Sequence, residues 1–204
     1  PANLFPLRQY AEHNNALERG SLQALERVLS QYEGRVAAVL VEPIQSEGGD
    51  RHASADFFCH VQRLAHDAGA LLIFDEVQTG LGGTGRLWAH DFFELPRPAD
   101  FVTFGKKMQM GGYFGRSDHA VTQFGRMYQT RNGDRAKAIL CTAILDALEQ
   151  DGLLDRVQRE GDFFLAGLTE LAQQFPRWIS QPRGRGFLLA FDLPNVQSRD
   201  DFLK

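Results

Sequence analysis

The sequence predicts an α/β fold with a central, mostly parallel sheet flanked by helices, and three observations support this prediction. Short runs of small and β-branched apolar residues are typical of strands that are covered on both faces. Segments with helical periodicity lie between these runs, which is the order found in β-α-β units. With 43% hydrophobic and 24% charged residues, the chain of 204 residues has enough apolar side chains for a sizeable core.

The predicted elements alternate along the chain. The apolar runs that predict parallel strands are RVAAVLVEPI (35–44), LLIFDE (71–76) and FVTFG (101–105). Helices are predicted over residues 21–33, from Ser54 as N-cap to Gly69, after Asp134 as N-cap, and from about 151 to Phe175. RGRGFLLAFDL (183–193) predicts a turn and a further strand that begins a second domain. We therefore expect one domain over 1–180 and the start of another over 181–204.

Composition and cysteine usage exclude several classes of protein. The net charge of -4 is spread along the chain without long runs of one sign, which argues against a nucleic-acid surface or a basic membrane patch. The apolar runs are much shorter than the roughly 20 residues that span a bilayer. Cys59 and Cys141 are too few for a disulfide framework and lack the spacing of a zinc site, so we predict two buried thiols in a reducing compartment. Small molecules and other subunits are the expected partners.

Three ionisable residues follow the three predicted strands. Glu42 comes after the first strand, Asp75 ends the second and Lys106 lies just past the third. Open α/β sheets bind ligands at the carboxyl ends of their strands, so we expect these side chains to converge there. A desolvated aspartate needs a cation or several donors beside it, and a desolvated lysine is nucleophilic enough to form an imine. Such a pair is what pyridoxal phosphate needs at its ring nitrogen and its aldehyde.

Each of these residues also has a plainer interpretation. Asp75 alone could be a structural acid that pairs with a nearby arginine or caps a helix. Lys106 and Lys107, as neighbouring lysines, are typical of a solvated surface. His60 and His66 would fall on different sides of a helix, so no metal site is expected from them.

A glycine motif suggests an alternative function. Gly80, Gly82 and Gly85 match the GxGxxG fingerprint of nicotinamide-dependent oxidoreductases. The segment that follows, GRLWAHDFFELPRP (85–98), is a poor amphipathic helix, and Asp100 precedes the next strand instead of ending it. Both features disfavour the dinucleotide interpretation.

Four segments carry a resemblance to a known family. They are VEPIQSEGGD (41–50), FDEVQTGLGGTGRLWAH (74–90), FVTFGKKMQMGG (101–112) and PRGRG (182–186). Together they resemble the class III pyridoxal-phosphate-dependent aminotransferases, most closely those that act on 4-aminobutyrate, with the lysine 6-aminotransferases as near relatives. The resemblance implies pyridoxal 5′-phosphate (PLP) as the cofactor, the large domain of a fold-type I PLP transferase, and the start of its C-terminal small domain.

The resemblance implies a role for each matching site residue. Lys106 would form the imine with the cofactor, and Asp75 would bind its protonated ring nitrogen. Val77 would pack against the ring, and Gln78 would contact its phenolic oxygen. Thr130 would reach the cofactor phosphate of the neighbouring subunit, which implies a homodimer with a shared active site.

The resemblance also implies a reaction in two halves. An ω-amino acid, 4-aminobutyrate, would be converted to succinate semialdehyde, and 2-oxoglutarate would accept the amino group. Glu47 would gate an arginine so that one pocket accepts both substrates in turn. Glu42 would order this loop, Lys106 would also shuttle a proton, and Lys107 would be a bystander.

Departures from the family pattern bear on these expectations. Arg131 and Asn132 follow Thr130 where the family has an aromatic residue and a glycine-containing turn, which makes Arg131 a candidate phosphate ligand. Several family elements, including a phosphate-binding loop and the gating arginine, would lie outside residues 1–204. Ser198 and Asp200 resemble a helix start that breaks off. We therefore expect a fragment with little or no activity of its own.

Two further expectations complete the prediction. A truncated, catalytically dead homologue that serves as a dimerisation partner is the alternative to an active enzyme. The expected compartment is the cytoplasm, or the mitochondrial matrix in a eukaryote.

Overall fold

The structure, a computed structural model, describes residues 15–204 except residues 48, 129 and 131. The helices of this part are α1 (Asn15–Gln31), α2 (Ala55–Asp67), α3 (Arg135–Gln150), α4 (Leu153–Gln174) and α5 (Val196–Phe202). Its strands are β1 (Ala38–Val41), β2 (Leu71–Asp75), β3 (Phe101–Phe104), β4 (Gly112–Gly115), β5 (Ser180–Arg185) and β6 (Leu188–Asp192). Helices and strands are interspersed along the chain, which confirms the predicted α/β class.

The first four strands form one sheet in the order β1-β2-β3-β4. β1 pairs with β2, and β2 pairs with β3, in parallel, as the alternation of strands and helices predicts. β4 pairs antiparallel with β3 and is missing from the sequence prediction, because a strand with a glycine at each end has low β-propensity. Both glycines are required for packing against β3. A Cβ at Gly112 would overlap the ring of Phe104, and a Cβ at Gly115 would overlap the ring of Phe101.

The main core lies between α1, α2 and the first two strands. Phe58 on α2 is fully buried, and its ring centroid lies 4.0 Å from that of Phe93 and 5.7 Å from that of Phe74 on β2. Ser54 caps α2 as predicted, because its side chain accepts a hydrogen bond from the amide of Phe57 at 3.1 Å. This packing holds β2 beside β1 and fixes where both strands end.

Two local predictions need correction. α1 already includes Asn15, the first described residue, ahead of the predicted start at residue 21. The extension brings the buried carboxylate of Glu18 to Ser54, whose backbone amide and hydroxyl both donate to it at 2.7 Å, a long-range contact that helical periodicity does not reveal. Both cysteines are free, but Cys141 is buried and Cys59 is only partly buried.

The C-terminal segment contains the predicted turn and following strand, but residues 180–185 ahead of the turn also form a strand that was not predicted. β5 and β6 form an antiparallel hairpin, and the chain reverses at residues 186–187. Gly186 has a φ of 56°, the left-handed conformation that glycine adopts without strain, which explains the reversal. α5 is capped by Asn195, which accepts from the amide of Ser198, so the predicted start at Ser198 is wrong. The domain boundary expected at 180/181 stays a prediction.

Backbone contacts between glycines fasten this hairpin to the rest of the chain. A Cβ at Gly161 of α4 would overlap the backbone of Gly186, and a Cβ at Gly186 would lie 2.6 Å from the carbonyl oxygen of Gly83. The amide of Phe187 donates to that same carbonyl at 3.0 Å. The hairpin turn is therefore held between α4 and the glycine-rich loop that follows β2.

Candidate active site

The sheet brings the three predicted ionisable residues to one edge. β1, β2 and β3 are adjacent and parallel, and Asp75 at the end of β2 is in register with Thr103 near the end of β3. Glu42 directly follows β1, and Lys106 begins the 3-10 turn 106–108 after β3. The charges of Asp75 and Lys106 both act on the carboxyl group of Glu42, so the three residues lie near one another at this edge.

Asp75 is held by two neutral donors. Its Oδ1 accepts hydrogen bonds from the backbone amide of Val77 and from Oγ1 of Thr103, both at 3.0 Å. Among the described residues no cation pairs with it, although the sequence suggested a positive partner as one solution for a desolvated carboxylate. Both hydrogen bonds go to the same oxygen, and within the described part of the chain Oδ2 has no hydrogen-bond partner. This oxygen is available to a protonated ligand.

Lys106 lies next to the turn that follows Asp75. Its backbone has a φ of 44°, and its Nζ donates a hydrogen bond to Oε1 of Gln78. A Cβ added at Gly105 would lie 3.3 Å from Cγ1 of Val77, so the backbone just before Lys106 packs on that valine. Asp75, Val77, Gln78 and Lys106 are thus neighbours. Lys106 itself is exposed in the described structure, in contrast to the desolvated lysine that the sequence suggested.

Lys107 is less exposed than Lys106, unlike the solvated surface that neighbouring lysines typically occupy. Its Nζ donates to the backbone carbonyl of Gln78. Burial lowers the pKa of Lys107, and the positive charge of Lys106 lowers it further. The second lysine of the pair therefore fixes the backbone of the residue whose side chain the first lysine contacts.

Glu42 lies near Asp75 and Lys106 on one side and near the turn that carries Glu47 on the other. Burial raises the pKa of Glu42, and the negative charge of Asp75 raises it further. The hydrogen bond from the amide of Ser46 and the charge of Lys106 lower the pKa of Glu42, while the charge of Glu47 raises it further. Glu47 is exposed, and its charge reaches this group from the neighbouring turn.

Thr130 lies apart from these residues. It is an exposed residue in the segment ahead of α3, between two positions outside the described part of the chain. No contact with the other five predicted site residues is found among the described residues. The candidate phosphate ligand Arg131 lies outside the described residues.

A buried network next to Asp75 is missing from the sequence prediction. Glu76 is only 1% exposed, and its Oε1 accepts from both the backbone amide and Nδ1 of His90, each at 2.8 Å. Its Oε2 accepts from the hydroxyl of the fully buried Thr79. The sequence offers one signal, an acidic residue inside an otherwise apolar strand end. These contacts fix the backbone on either side of Val77 and Gln78.

The dinucleotide interpretation finds no support in the fold. The segment after Gly85 contains only the 3-10 turn 89–92 before β3 instead of a long helix. Asp100 is buried ahead of β3, where its Oδ2 accepts from the amide of Leu72 at 2.7 Å and contacts Nε2 of His66 at 2.8 Å. It therefore connects elements within the core and is not free to bind a ribose. No group of three or more residues suited to hold a metal ion occurs among the described residues.

The fold and the site define a class of protein. The family model described as aminotransferase class-III matches residues 3–204, and the chain belongs to this family. This confirms the resemblance carried by the four sequence segments.

The chain is similar to three individual aminotransferases. The mitochondrial 4-aminobutyrate aminotransferase of Mus musculus is 38% identical over 206 residues, which cover 100% of this chain and 41% of that protein. The lysine aminotransferase from M. tuberculosis in the internal aldimine form matches with a TM-score of 0.87 and 36% identity, over 96% of this chain and 46% of that one. An ornithine aminotransferase from Toxoplasma gondii, with partial occupancy of PLP at its active site, matches with a TM-score of 0.75 and 35% identity, over 84% and 41%.

The chain spans less than half the length of these relatives. Membership in the family implies pyridoxal 5′-phosphate as the cofactor. The residues present fit that group, because Oδ2 of Asp75 is available to a ring N–H and the amine of Lys106 lies beside Gln78 at the same edge of the sheet. In the described part of the chain, no helix combines the length and apolar character needed to cross a membrane.

Proposed function

We propose that the protein containing this chain is a PLP-dependent aminotransferase that uses an ω-amino acid as donor and 2-oxoglutarate as acceptor. The observation that carries the proposal is the meeting of Asp75 and Lys106 at the carboxyl ends of adjacent parallel strands, with Gln78 bound to the lysine amine. 4-Aminobutyrate is the proposed donor, because the mouse relative is an aminotransferase of that substrate.

Asp75 and Lys106 have complementary tasks in this proposal. When bound, PLP supplies an aldehyde that reacts with amines and a ring that withdraws electrons from the carbon being deprotonated. Asp75 keeps the ring nitrogen protonated through Oδ2, while Val77 and Thr103 hold its other oxygen. Lys106 would hold the cofactor covalently through Nζ, and the same amine would take up and deliver the proton at the substrate carbon.

The remaining predicted site residues have roles of their own in the proposed site. Val77 would pack against the cofactor ring and Gln78 would contact its phenolic oxygen, because Val77 contacts Asp75 and the backbone at Gly105 while Gln78 contacts Lys106. Thr130, exposed ahead of α3, reaches the phosphate in a second copy of the chain, which makes the protein a homodimer with shared sites. Glu47 governs which substrate carboxylate the pocket accepts.

The test is to locate the cofactor on the chain. The full-length protein is loaded with PLP and treated with borohydride, which converts a lysine–cofactor linkage into a stable secondary amine. Peptide mapping is expected to find the modification on Lys106, and the variant Lys106→Ala should lose it. Lys107→Ala is the matched control and should keep the modification. Absence of any modified lysine would refute the proposal and favour a non-catalytic homologue. Modification of Lys107 alone would refute the role proposed for Lys106.

The donor is tested separately. Spectral conversion of the PLP-loaded protein is followed with 4-aminobutyrate, lysine, ornithine and β-alanine, each in the absence of 2-oxoglutarate. We expect 4-aminobutyrate to give the largest specificity constant. A preference for lysine or ornithine would contradict the proposed donor while leaving the transamination itself supported.

A further inference from the structure

The turn that carries Glu47 is closed at its neck. We call residues 45–47 and 49–51 the Glu47 turn. Gln45 and Arg51 exchange two backbone hydrogen bonds, at 3.0 and 3.3 Å, and form an isolated antiparallel bridge. Inside the neck, the carbonyl of Ser46 accepts from two amides further along, at 3.1 and 3.0 Å. The turn therefore behaves as a small closed unit at the carboxyl end of β1.

A single arginine from β5 holds this turn. Nε of Arg183 donates to the carbonyl of Asp50 at 2.8 Å, and its Nη2 donates to the carbonyl of Gly49 at 2.9 Å. Nη1 donates to the carbonyl of Gln181 at 2.9 Å, and Nη2 pairs with Oδ1 of Asp192 at 2.9 Å. The side chain is only 14% exposed. These contacts join residues that are 133 and 134 positions apart in the sequence.

The chemistry of this contact is specific to arginine. A guanidinium is planar and presents its N–H groups as a fixed fork, so it can bind two consecutive carbonyls at once, whereas an ammonium is a single point of charge. The charge of Arg183 also matters, because its guanidinium pairs with Asp192 and acts on the carboxyl group of Asp50. Burial raises the pKa of Asp50, and the charges of Glu47 and Asp192 raise it further. The charge of Arg183 lowers this pKa.

The position of Glu47 depends on the backbone of its turn. Its side chain is exposed, and it makes no hydrogen bond to any of the described residues. The backbone of the turn sets where Cα of Glu47 lies and therefore the region that its carboxylate can reach. Arg183 holds the carbonyls of Gly49 and Asp50 in the same turn, so the place of Glu47 depends on a contact from β5.

We propose that Arg183 is a positioning residue for substrate choice. By holding the carbonyls of Gly49 and Asp50, it sets the place of the Glu47 carboxylate and thereby determines how well the pocket distinguishes an amino donor from the 2-oxo acid acceptor. The proposal rests on the proposed function, in which Glu47 governs that choice. Arg183 touches neither substrate nor cofactor in this account.

The kinetic test separates the two half-reactions in the full-length, PLP-loaded protein. The variants are Arg183→Ala, Arg183→Lys and Glu47→Gln, with Arg199→Ala as the control because Arg199 is exposed and pairs with its neighbour Asp200. Arg183→Ala should raise KM for the donor about tenfold and change the acceptor half-reaction by less than about twofold, as Glu47→Gln does. Arg183→Lys should behave like Arg183→Ala despite its charge, and Arg199→Ala like the parent.

Hydrogen exchange supplies a readout that does not depend on activity. The amides of Gly49 and Asp50 both donate to the carbonyl of Ser46, and their exchange in the cofactor-free protein should become about tenfold faster in Arg183→Ala. Unchanged exchange, or equal losses in both half-reactions, would overturn the role of Arg183. A donor KM that does not respond to Glu47→Gln would also overturn it. A parent protein that shows no borohydride-stable lysine adduct would instead mean that the proposed function has failed.

Discussion

Replacement of Glu76 tests whether the buried network behind Asp75 stabilises the protein. The carboxylate accepts three hydrogen bonds, two from His90 and one from Thr79, and it is almost completely buried. In Glu76→Ala these three donors lose their acceptor and a cavity remains. An unsatisfied buried polar group costs about 1–3 kcal/mol, so we expect a loss of about 5 kcal/mol in the free energy of unfolding.

Glu76→Gln should be much milder because the structure permits the same hydrogen bonds. Both bonds from His90 go to Oε1, so the amide oxygen of glutamine can take that position. The amide nitrogen would then face the hydroxyl of Thr79, which can accept as well as donate. Only the charge is lost, and we expect a cost of about 2 kcal/mol.

Urea unfolding of the full-length, cofactor-free protein at fixed concentration measures both effects. Glu26→Ala, which removes an exposed carboxylate from α1, is the control and should change stability by less than about 0.5 kcal/mol. The reasoning is wrong if Glu76→Ala lies within about 1 kcal/mol of the parent, or if Glu76→Gln is as damaging as Glu76→Ala.

Three further changes have defined outcomes. Phe58→Ala empties a fully buried position among stacked rings and should lower the free energy of unfolding in urea by about 4 kcal/mol. Phe164→Ala, on an exposed face, is the control and should lower it by less than about 1 kcal/mol. Similar losses in the two variants would contradict the assigned core. Burial, with the charges of two arginines, lowers the pKa of His52 from 6.5 to about 4, so the folded state keeps it neutral where the unfolded chain binds a proton. Stability should therefore fall by up to about 3 kcal/mol as the pH drops from 6.5 to 4, and His52→Leu should flatten that slope. Thr103→Val removes one of the two donors to Asp75 and should lower kcat about tenfold. Thr142→Val is the control and should leave kcat unchanged, because the hydroxyl of Thr142 bonds to its own helix. Equal rates in both variants would exclude a role for the Thr103 donor.

Local signals account for what the sequence predicted well. The three apolar runs form the parallel strands β1 to β3 because β-branched residues suit a covered sheet. Ser54 and Asp134 cap the helices that follow them, each accepting from an amide three residues on, which is a contact within one turn of chain. The edge that collects Asp75 and Lys106 then follows from the parallel order alone.

The contacts that sequence analysis missed are made between distant residues. Arg183 binds the Glu47 turn, and Glu76 binds His90 across the glycine-rich loop, and in neither case does local spacing identify the partner. Adjacent lysines are typical of a solvated surface, but Lys107 is partly buried and its ammonium donates to the carbonyl of Gln78. These contacts fix the loops around the site, whereas local patterns fix the elements that carry it.

The glycine contacts between α4, the β5–β6 hairpin and the loop after β2 restrict relative motion. Gly161, Gly186 and Gly83 meet through backbone atoms, so no side-chain rotamer is present that could absorb a shift of one segment against another. The helix, the hairpin and the loop must then move as one body. We therefore expect any hinge that serves substrate entry to lie outside these three segments, because bending between them would force their main chains apart.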